Sequence, residues 1–480
     1  MTQSSRGGSA TRPASVRGIE LTLLVFAAML VTSALVLVEA EQNQQLSTQL
    51  LYLGAGYFGL FVGAHLVVRW TAPYADPLIL PTVALLNGLG LVMIHRLDLA
   101  ARSAGPGGPA PAESALRQLA WTALSVILLS VVLARIRDHR VIARYAYILG
   151  FGGLLLLLLP GVLPASISQV NGAKLWLRVG SLSIQPGEFA KIMIIAFAAA
   201  FLVSKRELFR NAGRRFLGMD FPRPRDLAPL LVAWGLSMGV LALERELGAS
   251  LLIFGVILGM LYVATSRVSW MLVGLAIFAG SSVLAYHMFG HVRDRVQTWL
   301  DPSTEYAGAG YQVSQSLFGL GTGGMGGTGL GAGRPDLVPL ANADFIAAAI
   351  GEELGLFGLA AVLVLYLVLV IRGLKTAIVC RDSFGTLLAT GLSTTIALQV
   401  FIVVGGVTNL IPLTGLTTPF LSNGGSSLLA NYILIALILR ISDTAHRPAP
   451  AKPAIPRTPL AAATTQLVPN PSAMARKTPN

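Results

Sequence analysis

Long apolar stretches alternate with short polar ones along most of this chain, and the apolar stretches recur at a length near 20 residues. As a helix, that length crosses about 30 Å of hydrocarbon. Twelve such segments are read, near 19–39, 50–68, 76–95, 117–135, 144–164, 188–204, 227–243, 247–266, 269–289, 345–371, 384–406 and 426–442. The pattern predicts an all-α polytopic membrane protein with about 12 transmembrane helices. No small-residue cleavage site follows the first apolar stretch, so it reads as an anchor and not as a cleaved signal peptide. From about Arg447 the sequence RPAPAKPAIPRTP turns rich in Pro and Ala, and that tail is expected to be disordered.

Basic residues orient the spans. With the N-terminus inside, the inner segments and the tail collect 25 of the 35 Lys and Arg. Both termini are therefore expected in the cytoplasm. The net charge of +13 is mostly this asymmetry. The basic run over 205–225 reads as a topology anchor touching anionic membrane lipids, and nucleic acid is not expected as a partner. Acids lean the other way: 14 of the 22 fall in the outer segments or the outer turns of spans. The longest outer segment, about 290–344, is too long for a mere connector, which places the function outside.

Composition removes the other classes. Only 12% of the 480 residues are charged and 54% are hydrophobic, against about 25% charged in a soluble domain. Mean hydropathy is +0.69. A soluble enzyme, a secreted disulfide scaffold and a disordered chain are excluded together. One cysteine, Cys380, leaves no internal disulfide and no multi-cysteine metal site, and the six histidines form no H-x-x-x-H pair.

Four constellations carry candidate chemistry. In Gln185-Pro186-Gly187-Glu188-Phe189-Ala190-Lys191, the proline and the acid mark a helix N-terminus. Glu188 and Lys191, three apart, share a face one turn below the outer surface. Charges at that depth line a cavity or form a structural ion pair, and the sequence leaves both open. Glu244-Arg245-Glu246 occupies a short outer turn, which reads first as a solvated hairpin tip. Asp344 suits a helix N-cap, whereas Glu352 and Glu353 sit two turns into an apolar span. Ionised carboxylates are costly at that depth, so at least one is expected to face a polar cavity or a basic partner. The long outer segment mixes Arg293, Asp294, Arg295, Trp299, Asp301, Glu305, Tyr311 and Gln312. Carboxylates among arginines there suit proton abstraction beside an anionic substrate, or simply a polar loop.

Two patterns mislead. Gly321-x-Gly323-x-x-Gly326 matches a dinucleotide fingerprint, yet no strand precedes it, so close or flexible backbone over a groove is the better reading. Ser422-Asn423-Gly424-Gly425-Ser426-Ser427 could meet phosphate at a helix start, but plain helix capping explains it as well.

Taken in order, these segments resemble the SEDS family of bacterial cell-wall polymerases, the RodA/FtsW group. The resemblance runs from about Asp76 to Ser442. It rests most on Asn171-Gly172-Ala173-Lys174-Leu175-Trp176-Leu177-Arg178 followed by QPGEFAK, on WLDPSTEYAGAGYQVSQS, on DFIAAAIGEELG, and on PLTGLTTPFLSNGGSS. NGLGLVMIHRLD, FPRPRDLAPLL and VGGVTNLIPLTGLTTPF look most like the actinobacterial RodA members. The family core is usually ten spans, so the chain divides into a cytoplasmic N-terminal tail (1–18), two extra spans (19–75), a polymerase core (76–442) and a Pro/Ala-rich tail (443–480).

The resemblance implies a glycosyltransferase that polymerises lipid II at the outer face of a bacterial cytoplasmic membrane. The growing glycan on undecaprenyl diphosphate is the donor, the 4-hydroxyl of lipid II attacks with inversion, and the lipid diphosphate leaves. A carboxylate must take the hydroxyl proton, and cations must offset the leaving charge. The family's base is an aspartate three residues before the G-x-G-Y-Q stretch, and Gly308-Ala309-Gly310-Tyr311-Gln312 places Glu305 there. Asp301 is the runner-up. Lys174, Arg178, Glu188, Lys191, Glu246, Arg293, Arg295, Gln312, Asp344, Glu352, Glu353, Ser422 and Ser426 are the implied substrate or cavity residues. No cofactor is identified, and a divalent cation (Mg or Mn) would share the charge on the diphosphate without any ligand cluster to mark its place. The implied partner is a class B penicillin-binding transpeptidase. The alternatives are a lipid II flippase, whose buried acids would serve a proton pathway, a catalytically impaired scaffold for the transpeptidase, and an FtsW-like septal role in place of elongation.

Overall fold

The computed structural model describes residues 13–42, 48–103, 113–170, 173–180, 182–205, 214–216, 219–221, 235, 239, 246–303, 306, 308 and 310–448. These residues are nearly all helical. With no water in a bilayer core to satisfy free backbone groups, helices are how a single chain of this pattern crosses it. Ten helices among the described residues are long and apolar enough to span.

In chain order they are α1 (Pro13–Glu41), α2 (Thr48–Thr71), α3 (Ile79–Ser103), α4 (Ser114–Arg135), the short α5 (Arg140–Arg144), α6 (Ala146–Val162) and α7 (Ala165–Ser168). Two small antiparallel hairpins follow, β1–β2 (Gln169–Val170, Ala173–Lys174) and β3–β4 (Leu177–Val179, Leu182–Ile184). Then come α8 (Pro186–Ser204), a third hairpin β5–β6 (Arg214–Phe216, Met219–Phe221), α9 (Leu247–Thr265), α10 (Val268–Met288), α11 (Gly290–Leu300) and α12 (Tyr311–Gly323). The chain closes with α13 (Ile346–Glu353), α14 (Gly355–Val379), α15 (Ser383–Val407) and α16 (Gly425–His446).

Ten of the twelve expected spans correspond to these long helices. The segment near 144–164 forms α6, only 17 residues long with Pro160 inside it, and 227–243 lies outside the described residues apart from two positions. The expected tail disorder concerns 443–480, of which α16 holds residues to His446 and 449–480 lie outside the described residues. The 290–344 segment carries two helices of its own, α11 and α12, and so is not an irregular loop.

One expectation needs correction. The apolar run near 345–371 is not a single span, because α13 ends at Glu353 and α14 starts at Gly355. Gly355 has φ +69°, which L side chains rarely adopt, and a Cβ there would lie 2.3 Å from the Gly327 nitrogen. The chain therefore turns where the glycine-rich segment packs against it. Glu352 and Glu353 sit at the end of a short helix and not two turns inside a membrane helix. Asp344 is not an N-cap either: Phe345 holds that position, with no side-chain cap hydrogen bond.

Burial ranks the helices. In α3 and α16, 89% of the most apolar window is covered by protein, against 11% in α10. The first two form the centre, with α15 and α8 beside them, and α10 presents its apolar surface outward to lipid. That arrangement sets the polar ends of α8, α15 and α16 against one another.

Candidate functional site

The site grows from α8. Pro186 stands at the first helical turn with Glu188 in it, as the sequence pattern requires. One turn on, Lys191 Nζ donates to Glu188 Oε2 at 2.7 Å, and both side chains are buried. Lys191 also donates to Gln399 Oε1 at 3.0 Å, and Gln399 Nε2 donates to the Thr417 carbonyl at 2.9 Å. A buried ammonium is tolerable because it has two oxygen acceptors, one of them charged. Ahead of the helix, the Gln185 amide N–H donates to Ser426 Oγ at 2.9 Å, while Gln185 Nε2 donates to Glu246 Oε1 at 2.9 Å.

Glu246, expected as part of a solvated hairpin tip, is instead 9% exposed. Burial pushes its carboxyl up to about 7, and the neighbouring Glu188 charge adds to the rise, while Lys191, Arg295 and the Gln185 hydrogen bond oppose it. Asp344 is likewise pushed up to about 7 by burial, against the pull of Arg295. Arg295 is half-buried on α11 between these two carboxyls and donates to the Leu413 carbonyl at 2.9 Å. Next to Asp344, Ser422 Oγ accepts from the Thr418 N–H at 2.8 Å and donates to the Ala343 carbonyl at 2.6 Å. Trp299 Nε1 donates to the Asn409 carbonyl and Asn409 Nδ2 returns a bond to the Trp299 carbonyl, which pins α11 to the segment after α15.

The result is one polar cluster fed by all four constellations: α8, the start of α9, α11, and the 342–344 and 413–427 segments. It holds Glu188, Lys191, Glu246, Arg295, Asp344, Ser422 and Ser426. Gln185, Gln399 and Thr417 also belong to it, and sequence reading did not single them out for a role. Gln399 carried a usable signal, since it is an amide side chain inside an otherwise apolar span.

Other expected residues lie outside this hydrogen-bonded cluster. Lys174 Nζ reaches the Leu163 carbonyl at 3.3 Å, at the end of α6, and Arg178 is exposed on β3 opposite Ser183. Arg293 is exposed, its guanidinium 5.8 Å from the Tyr286 ring centre. Gln312 Nε2 points to the Pro339 carbonyl at 3.5 Å. Asp301 is exposed and accepts from Ser303 Oγ at 2.5 Å. Glu305 lies outside the described residues.

Glu352 and Glu353 do different work. Glu352 Oε1 accepts from the Arg334 N–H at 2.7 Å, and Glu353 Oε2 accepts from the Gly331 N–H at 3.0 Å. Glu353 Oε1 lies 2.9 Å from Arg96 Nε, and Arg96 donates again to the Gly333 carbonyl at 2.7 Å. The glycine-rich segment is therefore stitched onto α13 and α3 by buried charge. Among the described residues, His139, Cys380 and Asp382 are the one group of three or more metal-ligating side chains drawn together, and they lie elsewhere. The carboxylates of the polar cluster do not form such a set among the described residues.

The FtsW/RodA/SpoVE family model, described as cell cycle protein, matches residues 76–447. The peptidoglycan glycosyltransferase RodA of Mycobacterium tuberculosis H37Rv is 55% identical over 452 residues, 94% of this chain and 96% of that one. Among solved structures, a chain from a peptidoglycan synthase complex that coordinates polymerization and crosslinking has TM-score 0.61 and 25% identity, covering 77% of this chain and 97% of the other. The rod shape determining protein RodA of Thermus thermophilus has TM-score 0.52 at 23% identity, covering 77% and 96%, which speaks to the fold alone. By sequence and by fold, the chain belongs to the FtsW/RodA/SpoVE family of multi-pass bacterial membrane proteins.

Proposed function

We propose that the chain is a peptidoglycan glycosyltransferase of the RodA type, polymerising lipid II for cell elongation. The mycobacterial relative named for that activity matches nearly end to end, which favours the polymerase over a flippase, an inert scaffold or a septal role. The reaction joins C1 of the strand's terminal sugar to O4 of lipid II and breaks the C1–diphosphate bond. The hydroxyl proton goes to a base, and the leaving diphosphate needs positive charge.

The observation that carries the site assignment is the Glu246–Arg295–Asp344 arrangement, Glu246 buried and the other two half-buried, at the edge of the Lys191 cluster. Arg295 is held by a carbonyl on one side and faces two carboxyls that titrate near neutrality. It supplies fixed positive charge for a diphosphate, with Lys174 and Arg178 on the two adjoining hairpins as further cations along the substrate path. Glu305 is assigned as the base from its place before Gly308-Ala309-Gly310-Tyr311-Gln312, with Asp301 second. The polymerase core is 76–442, and the cluster end of the bundle faces outward with both termini in the cytoplasm. Any Mg or Mn would share the charge on the diphosphate oxygens with these cations. Cross-linking falls to a class B penicillin-binding transpeptidase partner, in keeping with the synthase complex whose chain this fold resembles.

Polymerisation of labelled lipid II by the purified protein, with its transpeptidase, tests this with Glu305→Gln and Glu305→Asp in parallel. Polymer from the native and Asp forms, with none from Gln, is expected. Polymer from Glu305→Gln would move the base to Asp301. A native protein without product, gaining activity as Glu305→Asp, would overturn the polymerase reading in favour of a scaffold.

A further inference from the structure

At the far end of α15 from Gln399, three side chains distant in sequence meet. Gln399 lies seventeen positions after Asp382 along α15, about 25 Å at 1.5 Å per residue, so this cluster is remote from the candidate site. His139 comes from the turn before α5, and Cys380 and Asp382 flank the turn between α14 and α15. His139 Nε2 lies 2.9 Å from Asp382 Oδ1, and Cys380 Sγ lies 3.4 Å from the same oxygen. The three ligand atoms all lie within 4.8 Å of one another.

Two further features are unusual for a simple helix cap. Asp382 caps α15 through Oδ2, which accepts the Gly385 N–H at 2.7 Å and lies 3.2 Å from His139 Nε2, while Oδ1 is the oxygen nearer to His139 and the one that Cys380 approaches. The three ligand atoms also crowd the place where a side chain at 385 would begin. A Cβ on Gly385 would meet Cys380 Sγ at 2.6 Å, His139 Nε2 at 2.6 Å and Asp382 Oδ1 at 3.2 Å. Glycine at 385 keeps the space in front of them open. His139 is fully buried and its Nδ1 makes no hydrogen bond, so without a metal the ring donates its Nε2 proton to the Asp382 carboxylate. Asp138 Oδ1 stands 3.9 Å from that Nδ1.

We propose that His139 Nε2, Cys380 Sγ and Asp382 Oδ1 form a binding site for a divalent transition-metal ion of the zinc class, which staples the turn before α5 to the α14–α15 turn. One nitrogen, one sulfur and one oxygen donor suit zinc, and the thiolate is the wrong partner for magnesium or calcium, which take oxygen. A thiolate and a carboxylate balance the +2 charge, and water completes four-fold coordination. On binding, the Cys380 thiol proton passes to solvent, and the imidazole proton moves to Nδ1, where Asp138 can accept it as an outer partner. The exposed Arg140, with Nε 3.5 Å from Asp382 Oδ1, must swing away into water. The three positions are too scattered for any sequence motif, which is why only the fold brings them to notice.

The test uses the full-length protein in detergent, stripped with a chelator and dialysed against Zn2+ or Co2+. One ion per chain is expected, and the Co2+ form should show thiolate-to-metal charge-transfer absorption. Cys380→Ser should abolish that absorption and weaken binding more than 100-fold, His139→Gln should weaken it comparably, and Asp138→Asn should weaken it about tenfold. Because Cys380 is the chain's one thiol, the native protein gives a second readout that needs no variant: Zn2+ should protect it from alkylation. The site is refuted if stoichiometric Co2+ gives no charge-transfer band, if Cys380→Ser binds as tightly as native, or if saturating Zn2+ leaves alkylation unchanged. None of these readouts depends on polymerase activity.

Discussion

Two clusters of buried and half-buried charge, around α13 and around α8, resolve similar charges differently. Around α13, Glu353 is met by Arg96 and by the Gly331 amide, and Glu352 by the Arg334 amide. Burial raises the Glu353 carboxyl, while the amide and Arg96 both work against that rise. Around α8, Lys191 satisfies Glu188, but Glu246 has a neutral amide as its hydrogen-bond donor and feels Lys191 and Arg295 from further off, and Asp344 faces Arg295 without a hydrogen bond to it. The first cluster has its charge closed off by backbone donors and so holds a loop in place. The second keeps two carboxyls near neutrality and a guanidinium with donors to spare. Buried acids alone therefore do not distinguish scaffold from site, whereas their partner sets do.

Removing the closed pair should have the largest effect on folding. Arg96→Leu leaves Glu353 buried without its cation, and breaking such a pair costs about 3–5 kcal/mol. Thermal unfolding in detergent should show a large fall in Tm, with polymer lost in proportion to folded protein. A near-native Tm would mean that the glycine-rich segment is held by its backbone contacts alone. Arg295→Gln should behave in the opposite way. Its Tm should stay close to native while polymerisation of labelled lipid II falls about 100-fold, the scale expected for one electrostatic donor at a transition state. Equal losses of Tm and rate would place Arg295 with the structural cluster.

Much of this was legible along the chain because the bilayer imposes a crude rule. A helix must be near 20 residues and apolar, and the ten long helices follow it. Pro186 and Glu188 announced the start of α8 through local backbone chemistry, which needs no tertiary information. The break at Gly355 was hidden because the apolar pattern continues through it, and only packing of the 323–333 segment demands the turn. Glu246 reads as solvated because the charged run Glu244-Arg245-Glu246 gives no sign that Gln185, 61 residues earlier, reaches across to it. Gln399 and His139 share that difficulty: Lys191 lies 208 residues from the first and Asp382 lies 243 from the second, and spacing carries no trace of either pairing.

The sharpest separation of the two clusters is in pH dependence. A carboxyl whose folded value is raised favours the folded state at low pH. That contribution is fully present below its unfolded value and disappears as pH rises through the folded one. For Glu246 the window runs from 4.5 to about 7, and for Asp344 from 3.8 to about 7. Stability should thus decline between about pH 5 and pH 7, with each group contributing at most about 1.4 kcal/mol per pH unit. Glu246→Gln carries no titrating proton and should flatten the decline of Tm, and adding Asp344→Asn should flatten it further. A Tm profile equally steep in native and double-variant protein would show that these carboxyls are compensated in the folded state, and the distinction between the α8 and α13 clusters would then fail.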